Sequence, residues 1–101
     1  MLGETLRRLR GIYGYSAREL SEVLQISSSY LSEIEHGKKQ PSVELLQRYA
    51  DVFGLRLSTL LRFSENYGYA VNQGKGQQFI TKMMGMLIEA YGDGDEATDS
   101  D

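Results

Sequence analysis

The stretch Ser27-Ser28-Ser29-Tyr30-Leu31-Ser32-Glu33-Ile34-Glu35-His36-Gly37-Lys38-Lys39-Gln40-Pro41-Ser42 carries a complete short helix with its own start and stop signals. Ser27 is an N-cap, whose hydroxyl accepts a backbone N–H of the first turn. Ile26 before the cap and Leu31 four positions after it form a hydrophobic staple. Leu31 and Ile34 face inward with Tyr30 beside them, which turns Ser28, Ser29, Ser32, Glu33 and His36 outward. Gly37 lacks a Cβ and permits the left-handed residue that closes a helix. Pro41 prevents continuation, and Ser42 caps the next helix.

Immediately upstream, Ser16 and Glu19 form a capping box for a helix that ends near Gln25, with Leu20, Val23 and Leu24 as its apolar face. Two short helices joined by a tight turn, the second facing outward, describe a helix-turn-helix. Further upstream, Leu2, Leu6, Leu9 and Tyr13 recur at spacings of four, three and four, a helical stripe ended by Gly14. Downstream, Leu46, Tyr49, Ala50 and Phe53 follow the same rule up to Gly54, and Ser58 is expected to cap a short fifth helix with Leu60, Leu61 and Phe63. Residues 64–76 are rich in Gly and Asn and read as a linker, in which Tyr67, Tyr69 and Val71 alternate as in a short extended arm. A last helix is expected over 77–91.

The chain has 101 residues and a formal charge of −3. That length suits one small domain with an appendage and is too short for a large catalytic fold. Without cysteine it forms no disulfide and no cysteine zinc site. No apolar run approaches the ~18 residues of a membrane span. Arg7, Arg8 and Arg10 break the apolar run a signal peptide needs, so a cytoplasmic protein is expected. Residues 93–101 hold five acids and no base, and a segment so polar is expected to be a disordered acidic tail. The nine remaining acids face eleven bases, leaving residues 1–92 at +2.

The residues from Ser16 to Leu61 resemble the Cro/repressor helix-turn-helix family, the xenobiotic-response-element-like regulators typified by lambdoid phage repressors. The resemblance is carried by Leu6-Arg7-Arg8-Leu9-Arg10, Glu19-Leu20, the run Tyr30 to Lys38, Pro41-Ser42, Ala50 and Phe53-Gly54-Leu55, and spans roughly residues 2–63. It implies an all-α, five-helix lambda-repressor-like bundle over 1–63, to which 64–92 add the linker and apolar C-terminal helix. It also implies sequence-specific binding to double-stranded DNA, usually as a homodimer on a palindromic operator, with helix three in the major groove. Ser28, Ser29, Ser32 and Glu33 would then face base edges. Lys38, Lys39 and Gln40 in the following loop would meet phosphates, joined by Arg18 at the start of helix two and by Ser27 at the start of helix three. Three positions depart from the family pattern. Ala17 replaces a glutamine that bonds the DNA backbone, Ser21 replaces an inward alanine, and Gln25 replaces the glycine of the turn.

Serine discriminates poorly among bases, and Glu33 accepts from a cytosine amine but is repelled by phosphates. Glu35 sits in the last turn of helix three, against the negative end of the helix dipole, and needs a cation. The resemblance assigns Arg10 to it as a structural ion pair. His36, the only histidine, reads as a surface group, and no catalytic, metal or cofactor constellation accompanies it. In the last helix, Phe79 and Met83 belong to one apolar stripe, and Ile80, Met84, Leu87 and Tyr91 to a second. Two readings stand open: pairing with a second copy to set a dimer, or folding back onto its own domain. A protein partner on the same helix is a third use, since methionines adapt to changeable surfaces. The sequence thus points to a transcription regulator, a repressor rather than an enzyme. The alternative is an antitoxin or interaction module that uses this fold with weak DNA binding.

Overall fold

The computed structural model describes residues 2–85. Five helices follow one another: α1 (Leu2–Ile12), α2 (Ala17–Leu24), α3 (Ser28–Glu35), α4 (Val43–Phe53) and α5 (Leu57–Asn72). A sixth, α6, runs over 76–85 to the last described residue. Among the described residues there is no strand. The expected acidic tail and residues Met86, Leu87, Ile88 and Tyr91 lie outside the described residues.

Serine caps start three of these helices as their sequence requires. Ser16 accepts from the Glu19 N–H at 3.0 Å while its own N–H donates to the Glu19 carboxylate at 2.8 Å. The Ser16 backbone N–H first, and the Ser16 hydroxyl second, hold the Glu19 carboxyl below its ordinary range. Ser27 accepts from Tyr30 N–H and Ser42 from Leu45 N–H. Five helix ends close by one device, a bond from an N–H to the carbonyl five residues back: Tyr15 to Arg10, Ile26 to Ser21, Lys38 to Glu33, Leu55 to Ala50 and Lys75 to Ala70. Each needs a residue with positive φ just before the donor. Glycine supplies it four times, and Gln25, at φ 62°, is the one non-glycine among the described residues.

Helix α1 packs against α3 and α5, and α2 against α3 and α4. The core is Leu6, Leu9, Leu20, Leu24, Leu31 and Ile34 closed by Tyr49, Phe53 and Leu60, all at most 1% exposed. Each such burial is worth roughly 1.5–3 kcal/mol. Tyr13 stacks on Phe53 with ring centroids 4.7 Å apart. At Gly3, α1 crosses the end of α3 so closely that an added Cβ would strike the Ile34 carbonyl oxygen.

Three expectations are corrected. Val23 is 51% exposed, and Ser21 is buried in its place. Positions 21 and 23 flank the Leu20–Leu24 stripe equally, and α3 covers the 21 side, where the Ser21 hydroxyl donates to the Arg18 carbonyl at 2.8 Å. Ser58 is not a cap: α5 begins at Leu57, after Arg56, with no side-chain cap bond. Nor is 64–76 a linker with an extended arm. Helix α5 continues to Asn72 because Leu60, Phe63, Tyr67 and Val71 form one stripe at spacings of three, four and four. Tyr67 is 3% exposed and its hydroxyl donates to Glu4 at 2.9 Å. Its burial outweighs the roughly 1 kcal/mol that Gly68 costs within a helix. The break comes instead at Gly74, after which α6 turns back. Phe79 lies 6.1 Å from Tyr67, and Ile80 and Met83 are buried in the core of their own chain. Of the two apolar stripes in this helix, the described part leaves Met84 exposed, at 40%.

Candidate nucleic-acid interface

Helix α3 presents its outer face because Leu31, Ile34 and Glu35 are all buried on its inner one. Glu35 is the anchor. Its side chain is 4% exposed and takes a two-pronged bond from Arg10, Nε to Oε2 at 2.8 Å and Nη2 to Oε1 at 3.2 Å. The third Arg10 prong, Nη1, reaches the Tyr15 carbonyl at 3.1 Å, which ties the turn after α1 into the same knot. The hydrogen bond to Glu35 raises the Arg10 pKa further above neutrality, so the guanidinium keeps its charge. Beneath it, burial and the Glu35 charge push the Tyr49 phenol well above its ordinary range. The Tyr49 hydroxyl is buried with no hydrogen-bond partner among the described residues.

Ser28, Ser29 and Ser32 are exposed, as expected, and Glu33 is half-buried. They differ in how free they are. Ser28 Oγ lies 3.3 Å from Ser21 Oγ, so the two hydroxyls can share a hydrogen bond. His36 Nδ1 lies 2.8 Å from the Ser32 carbonyl, which only accepts, so Nδ1 carries the proton, and Ser32 Oγ stands 3.3 Å from the same nitrogen. Glu33 Oε2 lies 3.8 Å from Lys39 Nζ. The Ser29 hydroxyl has no hydrogen-bond partner among the described residues.

The candidate phosphate contacts lie at the starts of α2 and α3 and in the loop after α3. Arg18 and Ser27 are exposed, as are Lys38, Lys39 and Gln40. Arg18 pairs with Glu22 at 3.3 Å, with both side chains largely in solvent. Such surface pairs are worth about 0.2–1 kcal/mol, so a phosphate can displace them. Lys38 makes no ion pair among the described residues.

Two residues escaped the sequence reading. Arg48 donates from Nη1 to the Leu24 carbonyl at 3.1 Å, bracing the end of α2 beside the strained Gln25. Its spacing of four from Glu44 reads only as a solvated helix pair, which it also is at 3.3 Å. Arg7 lines a hollow with His36 and Gly37 beside the C-terminal end of α3. Only the crossing of α1 over α3 brings it there, and no local spacing signals it. Among the described residues, no group of His, Asp or Glu side chains could hold a metal ion, and no helix is long and apolar enough to cross a membrane.

The helix-turn-helix family matches residues 6–60. A relative from Deinococcus deserti, the HTH-type transcriptional regulator DdrOP3, is 40% identical over 67 residues, 66% of this chain and 52% of its own length. The chain spans about half the length of the first curated relatives it matches. Among solved structures, the biofilm regulator SinR in complex with DNA is 35% identical, with TM-score 0.56 over 60% of this chain and 98% of that one. The clp gene regulator ClgR from Corynebacterium glutamicum is 29% identical, with TM-score 0.57 over 89% of this chain and 88% of that one.

Proposed function

Because this chain belongs to the helix-turn-helix family, of the XRE/Cro type, we propose that it is a sequence-specific double-stranded DNA-binding transcription regulator, a repressor that grips a palindromic operator as a homodimer. The carrying observation is the outward face of α3, locked from behind by the Arg10–Glu35 pair and flanked by the exposed cations Arg18, Lys38 and Lys39. Helix α3 enters the major groove, with Ser29 and Glu33 toward base edges and Ser28 and Ser32 within reach. Lys38, Gln40, Ser27 and Arg18 meet phosphates. Arg7 adds a further cation beside the end of α3. The likeness to SinR, solved on DNA, supports this docking. In a dimer, the two α3 helices lie about one DNA turn, ~34 Å, apart. With Ile80 and Met83 spent inside their own chain, Met84, exposed at 40%, is the described residue of that helix left to pair with a second copy.

Selection of bound duplexes from random DNA, run at two salt concentrations, tests this reading. A shared palindrome with binding that weakens steeply as salt rises is the expected result. Absence of any enrichment at low salt would overturn it and favour the interaction-module alternative.

A further inference from the structure

Glu33 is the only acid on the outer face of α3, and it does not stand alone. The turn at Gly37 folds the chain back, so that the backbone N–H groups of Lys38 and Lys39 both donate to the Glu33 carbonyl, at 2.8 and 3.3 Å. The side chain of Lys39 then returns to the Glu33 carboxylate, Nζ to Oε2 at 3.8 Å. Backbone and side chain of one lysine therefore converge on one glutamate, six positions away across a left-handed glycine. The carboxylate stays reachable, 39% exposed against 57% for Lys39.

A bare carboxylate pressed toward DNA is repelled by the phosphates on either side, yet it is the side chain suited to accept from the N4 amine of cytosine. A cation held 3.8 Å from Oε2 by the turn that anchors the Lys39 backbone offsets that repulsion and leaves Oε1 free to accept. We infer that Lys39 is a positioning residue for Glu33, and that the pair reads a cytosine at one position of each half-site. The inference rests on α3 being the DNA-reading helix. It takes Lys39 out of the set of simple phosphate contacts and leaves Lys38 in it.

The test is duplex selection with the full chain and its Lys39→Ala, Lys39→Arg, Glu33→Ala and double Glu33→Ala/Lys39→Ala variants. Lys39 is exposed, so the melting temperature of Lys39→Ala should match that of the parent. The parent should show a cytosine preference that Lys39→Ala lowers about fivefold or more at that one position. Lys39→Arg should retain the preference. Glu33→Ala should abolish it, and adding Lys39→Ala to Glu33→Ala should change nothing further there. A Lys39→Ala profile identical to the parent's overturns the inference and leaves the DNA-binding reading intact. If the parent enriches no sequence, both fall together.

Discussion

Arg10 and Glu35 hold α3 to the body of the protein, and the Glu35 end of their bond is nearly dry, with side chains 21% and 4% exposed. Removing Arg10 strands the Glu35 charge in a place with little water, so Arg10→Ala should lower stability by about 3–5 kcal/mol. Glu35→Ala should cost less, because Arg10 reaches solvent and keeps the Tyr15 carbonyl. Chemical denaturation should show the double variant losing much less than the sum of the two. Losses that simply add would mean that the pair is not coupled. This interaction was legible in the sequence, because an acid at a helix C-terminus needs a cation and the family pattern supplied one. Lys39 beside Glu33 was not: six residues separate them, and their meeting depends on the φ of Gly37 rather than on helical spacing. Arg48 at the Leu24 carbonyl was hidden for a related reason, since it joins α4 to the end of α2 across 24 positions.

At the scale of the element, caps and stops were readable because they are local. Ser16, Ser27 and Ser42 each bond the N–H three residues on. Gln25 takes the left-handed conformation its position in the turn demands, with φ 62° and ψ 43°. An L side chain there costs roughly 1 kcal/mol or more. Gln25→Gly should raise stability by about 0.5–1 kcal/mol once the greater freedom of glycine in the unfolded chain is offset. Thermal melting checks this, and a lower melting temperature would mean that the Gln25 side chain makes up for its backbone. The end of α5 was misread because the local and tertiary signals disagree. Gly68 and Asn72 speak for a linker, whereas the stripe from Leu60 through Tyr67 to Val71 finds α1 and α6 to pack on. The partner that makes Tyr67 worth burying, Glu4, lies 63 residues away.

Across the whole molecule, the charge of −3 hides a divided chain: five acids crowd 93–101, and +2 remains over 1–92. On the proposed reading, so slight a positive excess attracts DNA weakly from one copy, and a dimer on two half-sites would multiply that attraction through effective concentration. The sequence left two uses of the last helix open because apolar spacing does not say whose surface will cover it. Ile80 and Met83 close over their own core, and Met84 faces out beside Ile12 and Gln77. If the stripe that begins at Met84 sets the dimer, Met84→Glu should shift sedimentation equilibrium toward monomer and leave the melting of the core nearly unchanged. A variant that still sediments as a dimer would move the interface elsewhere.

The central claim is that α3 and its flanking turns are the surface that meets DNA. Amide hydrogen exchange of the full chain, with and without a selected duplex, measures that surface directly. Protection by DNA is expected in peptides covering 16–19 and 27–40, with the outer face of α5 around Arg62 and Tyr69 unchanged. Protection confined to α5 and α6, with 27–40 exchanging as in the free protein, would contradict it.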